Sequence, residues 1–159
     1  MNNQAAILIA QAKNTLNILE ENRHFYLEFI DGDFKKLGQT TASAIVLSQI
    51  FIDYYTCIET FFFRTSQAFE NNPEPEKWHK SLLQKMSLDI PGIRPAVISQ
   101  KSFEMLDEIL RFRHFRRYYF NFKYDWDKIQ LIEKKYNEVH PLLLKDMSDF
   151  TEFLHQFIA

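Results

Sequence analysis

Three glycines and five prolines are all the backbone breakers that this chain of 159 residues contains. Hairpins and phosphate-cradling loops draw on these residues, so a chain this poor in them has little material for either. Long uninterrupted runs then favour helices. From Asn3 to Ile30 no glycine or proline intervenes, and Ile9, Ala12, Leu16, Leu19, Tyr26 and Ile30 recur at near-helical spacing. This predicts a first long amphipathic helix, stopped by the glycine of Asp31-Gly32-Asp33, with a polar turn and then Gly38 as the next breaker.

A second helix is predicted from Thr40 to Phe69. Between Lys36 and Arg64 its only charged side chains are Asp53 and Glu59, which places it at the centre of a bundle, surrounded on most sides. The same two carboxylates, with Ser48, Gln49, Thr56 and Thr60, argue against a membrane span, where such groups are costly. The rings from Phe51 through Tyr54, Tyr55, Phe61, Phe62 and Phe63 are read as core packing and Cys57 as a small buried hydrophobe.

After Asn71-Asn72-Pro73-Glu74-Pro75, the stretch Lys77 to Met86 predicts a short helix displaying Trp78, Leu82, Leu83 and Met86. Ser87 to Ser99, with Pro91, Gly92 and Pro95, reads as a strap across the bundle. Ser99 or Ser102 can cap a helix running to Asn121, and Asn121 to Tyr124 reads as a turn. Asp125 can cap a last helix whose apolar positions are Ile129, Ile132, Tyr136, Val139, Leu143, Met147, Phe150 and Leu154, with Pro141 expected to kink or split it. The expected fold is all-α, an antiparallel bundle of four to five helices forming one domain over 1–159.

At 46% hydrophobic and 25% charged residues the composition is that of an ordinary globular protein. The single cysteine excludes an intramolecular disulfide, and the amino terminus lacks a signal-like apolar core, so a cytoplasmic location is expected. His24, His79, His114, His140 and His155 lack metal-ligand spacing, and no metal or cofactor is expected. His79 and His140 are read as capping, hydrogen-bonded or exposed. No nucleophile elbow, P-loop or dinucleotide fingerprint supports a hydrolase, NTPase or dehydrogenase.

Positive charge concentrates in Ile109 to Lys123, which holds Arg111, Arg113, Arg116, Arg117, Lys123 and His114 without a carboxylate, in a chain of formal charge -2. Such asymmetry suits a polyanion. At about 100° per residue, Leu106, Ile109, Leu110, Phe112 and Phe120 share an apolar face and Arg113 falls within it. A guanidinium there must be paired, snorkel or point into a cleft, and Asp53 and Glu59 are candidate partners. Asp107, Arg111, His114 and Tyr118 form a flanking stripe, and Arg113 with Arg117 forms a second pair one turn apart. With Tyr119, Phe122, Tyr124 and Trp126 downstream, the run reads either as a site for RNA phosphates and unpaired bases or as a solvated helix face.

Phe112-Arg113-His114-Phe115-Arg116-Arg117-Tyr118 resembles the F-R-H-x-x-R-H segment of HepT-like members of the HEPN superfamily, small helical ribonuclease toxins paired with nucleotidyltransferase antitoxins. Tyr54-Tyr55-Thr56-Cys57-Ile58-Glu59 resembles their second-helix signature, Trp78-His79 with Leu82, Leu83 and Met86 resembles a following segment, and Arg94-Pro95-Ala96-Val97-Ile98-Ser99 resembles their strap. The resemblance implies a homodimer whose motifs face one another across an RNA-binding cleft, with metal-independent cleavage by the ribose 2′-hydroxyl. In this frame Arg113 corresponds to the arginine that stabilises the phosphate transition state and His114 to the polar residue after it. Arg111, Arg116, Arg117 and Lys123 would contact RNA. The chain departs from the pattern twice: Tyr118 stands where the catalytic histidine is expected, and Phe120 where some members carry a tyrosine that accepts a nucleotide. Two expectations follow, one in which His114 takes over acid-base work with Tyr118 holding the phosphate, and one in which the site only binds RNA or a protein partner.

Overall fold

The computed structural model of the chain describes residues 2–70, 78–118 and 123–158, and the side chains of Trp78 and Tyr118 lie outside that description. Six helices succeed one another: α1 (Asn2–Asp31), α2 (Asp33–Leu37), α3 (Thr41–Glu70), α4 (Trp78–Met86), α5 (Gln100–Tyr118) and α6 (Trp126–His155). The residues after Gly32 close a short helix, α2, where the sequence predicts a polar turn, and Gly38 ends it at φ +64°, in the left-handed region that suits glycine.

Side-chain pairings fix the helix directions. Cys57 lies against Thr15 and Ile50 against Asn22, so α3 runs antiparallel to α1. The pairs Glu20 with His140, Asn22 with Tyr136, and Tyr26 with Glu133 set α6 antiparallel to α1 as well. Ser102 with Asp146 and Phe115 with Lys128 make α5 antiparallel to α6. Helices α3 and α6 pack against each other in parallel, through Tyr54 on Tyr136 and Phe61 on Phe150, and both also pack on α1 and α5. The result is an all-α bundle.

The central position of α3 follows from its sequence. Phe51, Tyr54, Tyr55, Ile58, Phe61 and Phe62 are all buried, and each such side chain contributes on the order of 1.5–3 kcal/mol by leaving water. Among the described residues α3 is the one helix long and apolar enough to cross a membrane, and half of its most apolar window is buried within the bundle. Cys57 is half-buried, and burial pushes its thiol up to about 11, which leaves it a poor nucleophile near neutrality. On α1 the buried stripe is Ala5, Leu8, Ala12, Thr15, Leu19, Tyr26 and Phe29, while Ile9, Leu16 and Ile30 flank it partly exposed. The sequence therefore located the helix and its inner face: Ala12, Leu19 and Tyr26 are buried, and Ile9, Leu16 and Ile30 pack against the core from the flank. Helix α6 buries the whole predicted series from Ile129 to Leu154.

Caps and the strap complete the frame. Thr40 Oγ1 accepts the Ser43 amide at the start of α3, and Ser99 Oγ accepts the Ser102 amide at the start of α5. Asp146 of α6 accepts from the Ser99 amide at 3.0 Å and from the hydroxyls of Ser99 and Ser102 at 3.1 and 2.6 Å, which docks the beginning of α5 on α6. Asp125 Oδ1 accepts the amides of Asp127 and Lys128 and caps α6. Pro141 is exposed and α6 continues through it to His155, so the proline does not split the helix. Residues 87–99 fold as a strap: Ile90 and Arg94 pair around a turn containing Gly92 at φ +76°, and the amides of Val97 and Ile98 both donate to Met86 O at the end of α4. The turn expected at 121–124 falls partly outside the described residues.

Candidate functional site

The geometry of the site begins with Glu59. It projects from α3 into the junction with α4 and α5 and is only 5% exposed, so its carboxylate requires partners. Arg113 supplies them from α5: Nη1 donates to Oε1 at 3.0 Å and Nη2 to Oε2 at 2.9 Å, a two-pronged fork. The same guanidinium lies 4.7 Å over the ring of Tyr55 and donates from Nη1 to Thr56 Oγ1 at 3.1 Å. Of the two partners the sequence offered for Arg113, Glu59 takes the role, whereas Asp53 is exposed and accepts from Gln49. Burial, with Glu59 nearby, pushes the Tyr55 phenol far up and keeps it neutral under the cation.

A third group joins this pair. His79 of α4 sets Nδ1 2.8 Å from Glu59 Oε2 and 3.3 Å from Arg113 Nη2. An ionised carboxylate only accepts hydrogen bonds, so the short contact places the proton on His79 Nδ1 as donor to Glu59, and the longer approach of Arg113 is secondary. Carboxylate, guanidinium and imidazole thus come from three helices. Sequence reasoning read His79 as a generic capping, hydrogen-bonded or exposed histidine; the signal that could have found it is the Trp78-His79 segment.

The other members of the basic run are spread around α5. His114 is exposed on the next position of the helix, about 100° from Arg113. Arg111 is exposed and donates through Nε and Nη2 to Asp107 one turn earlier, at 2.9 and 2.7 Å. Arg116 stacks on Tyr124 at 4.3 Å and donates to its hydroxyl, tying the end of α5 to the segment that leads into α6. Arg117 and Lys123 are exposed. Lys128 lies 4.7 Å over the exposed ring of Phe115, which adds a cation from α6 to this end of the bundle. The described part of α5 reaches Tyr118, and the expectations for Tyr119, Phe120 and Phe122 fall outside the described residues. Among the described residues no cluster of histidine, cysteine and carboxylates is arranged to hold a metal ion.

The chain therefore presents two features: a Glu59–Arg113–His79 cluster, and on the same helix a set of exposed cations with aromatic neighbours. A family model described as HepT-like protein matches residues 46–154, a span that starts within α3, includes the whole cluster and ends within α6. Neither the curated proteins nor the solved structures contain a match to the chain. The match covers well over half of the sequence and contains every residue of the site, and on that ground the chain belongs to the HepT-like family.

Proposed function

We propose that this chain is the HepT-like component of a HEPN and nucleotidyltransferase toxin-antitoxin pair, and that it acts in the cytoplasm on RNA as a metal-independent endoribonuclease. The observation that carries this reading is the fixed position of Arg113. Its fork to Glu59, its contact with the Tyr55 ring and its bond to the exposed Thr56 hydroxyl hold the guanidinium in one orientation, with an edge still reachable from solvent. A cation fixed before substrate arrives stabilises charge developing on a phosphate without a reorganisation cost. His114 and Arg117 supply exposed basic groups on α5 and Lys123 another before α6, Phe115 an exposed ring, and Arg111 and Arg116 further cations already anchored to Asp107 and Tyr124. His114 is exposed at the position after Arg113, and a cleft shared by two copies would let the motif of one subunit face that of the other.

The test is incubation of the pure protein with labelled RNA in the presence of chelator, with a 2′-deoxy oligonucleotide as control. RNA is expected to be cut and the deoxy substrate left intact. Arg113→Lys keeps a cation for Glu59 but loses the planar fork, and is expected to lower kcat by about 100-fold or more. Light scattering at micromolar concentration should report a dimer. A second reading is a binding module without turnover, favoured by Tyr118 at the expected histidine position. Salt-sensitive RNA binding with no cleavage would establish that reading over the first.

A further inference from the structure

We infer that Asp53, on the exposed side of α3, selects the base beside the phosphate held at Arg113, and that the base it selects is guanine. The inference rests on the ribonuclease reading and names the substrate of that site. It starts at Thr56, whose hydroxyl donates to Ile52 O at 2.8 Å and accepts from Arg113 Nη1 at 3.1 Å. The open edge of the guanidinium is thereby pinned against α3. Gln49, Asp53, Thr56 and Thr60 are all exposed and follow one another at steps of four, three and four residues, which lines them up along one side of the helix at that edge. Asp53 stands one turn from Thr56, about 4.5 Å along the axis, within the span of a single nucleotide. It is the one charged side chain in this row. The only other carboxylate between Lys36 and Arg64 is Glu59, which is buried and committed to Arg113 and His79. A carboxylate beside a cation that takes up phosphate repels a polyanion. That repulsion is offset when the carboxylate makes a bond that one base alone can return.

Gln49 Nε2 donates to Asp53 Oδ1 at 2.7 Å, which orients the carboxylate and leaves Oδ2 and the second lone pair of Oδ1 as acceptors. An ionised carboxylate only accepts hydrogen bonds, so it recognises donors. Of the four RNA bases, guanine alone carries two adjacent donors on its Watson–Crick edge, N1–H and N2–H, spaced to meet the two oxygens of one carboxylate. Adenine and cytosine each set an amino group beside a ring nitrogen that accepts, and uracil sets one N–H between two carbonyls. Each of these turns a lone pair towards the carboxylate, which leaves acceptor facing acceptor. The Watson–Crick edge is free only in an unpaired base, so the substrate is single-stranded RNA with guanine next to the cut.

The experiment compares the full chain, native and Asp53→Asn, on labelled oligouridines that carry one guanosine, adenosine, cytidine or inosine at a central position, with chelator present. Cleavage and affinity are both measured. Native protein is expected to cut beside guanosine with kcat/KM about 10-fold or more above that beside adenosine or cytidine, with inosine, which lacks the N2 amino group, falling between. In Asp53→Asn one acceptor becomes a donor, and the ratio of guanosine to adenosine is expected to fall to within about threefold of unity. Loss of a negative charge by itself raises the affinity for all four alike and leaves that ratio unchanged, so the ratio separates base selection from electrostatics. Native cleavage without a guanosine preference overturns the inference and leaves the ribonuclease reading standing, as does a preference that Asp53→Asn retains. Native protein that does not cut, but binds with a guanosine preference lost in Asp53→Asn, overturns the ribonuclease reading and keeps base selection at Asp53. Native protein that does not cut and shows no such preference in binding overturns both.

Discussion

Arg94 shows what a charged side chain must have around it to be kept inside this bundle. The side chain is completely buried. Its Nε donates to Glu70 Oε1 at 2.9 Å and Nη2 also reaches that oxygen, while the remaining donors cap the carbonyls of Lys85, Leu88 and Pro95. Those carbonyls lie at the end of α4 and along the strap, past the regular helix ladder, and Lys85 O also accepts the Leu88 amide at 3.2 Å. Arg94→Ala would leave the nearly buried Glu70 uncompensated, and is expected to lower unfolding stability by about 3–5 kcal/mol, read as a reduced urea midpoint. Adding Glu70→Gln should recover part of that loss. Arg113 follows the same rule with one difference, since its site keeps an edge open at Thr56. The sequence supplied the rule for Arg113 and two candidate partners, because an arginine on an apolar face must be paired. It could not choose between Asp53 and Glu59. About one and two-thirds turns of α3 separate them, and only the packing of α5 and α4 against α3 decides which carboxylate faces inward.

At the scale of elements, the ends were more legible than the faces. The boundaries of α3 and α6 fall within a residue or so of the positions marked by Thr40 and Asp125, because capping is a local bond between a side chain and the next turn. Asp125→Ala removes an acceptor for the amides of Asp127 and Lys128, and is expected to cost about 1 kcal/mol in urea unfolding. A change much above ~2 kcal/mol would mean that Asp125 also anchors the segment between α5 and α6. The inner face of α1 was harder to read, since Ile7, Ile18, Phe25 and Leu27 remain exposed while Thr15 is buried. Hydrophobicity alone does not say which apolar side of a helix meets a neighbour. Pro141 is a related case: proline removes one amide donor, but on an exposed face of a well-packed helix the neighbouring turns persist.

For the whole molecule, a relay running from the buried Tyr54 and His140 to the exposed Glu20 ties three helices together and makes stability depend on pH. Tyr54 of α3, His140 of α6 and Glu20 of α1 are connected through 2.9 Å and 3.1 Å contacts at the two ring nitrogens of His140. Burial pushes the Tyr54 phenol far up, so it stays protonated and donates to Nδ1, while Nε2–H donates to Glu20. Burial also lowers the pKa of His140 below its usual 6.5, with Glu20 opposing the shift. A base whose folded pKa is depressed leaves the unfolded chain binding more protons, so its contribution is present above about pH 6.5 and is lost as pH falls below that value. Urea unfolding at about pH 7.5 and pH 5.5 should show the native protein weakening on acidification more than His140→Gln does. Equal losses in the two proteins would remove His140 from the account.

By itself the sequence determined the helical class, the order and approximate ends of the long helices, the central place of α3, and the basic run on α5. All of these depend on local bonds, on periodicity, or on the near absence of charge across one long segment. Tertiary structure alone decided how the charges pair. Glu59, His79 and Arg113 come from three helices and lie 20 and 34 residues apart along the chain, and they meet because burying α3 brings α4 and α5 to the same point on its surface. Ring contacts and ion pairs of that kind depend on which faces turn inward, which is settled by the packing of the whole bundle and not by any one stretch of it.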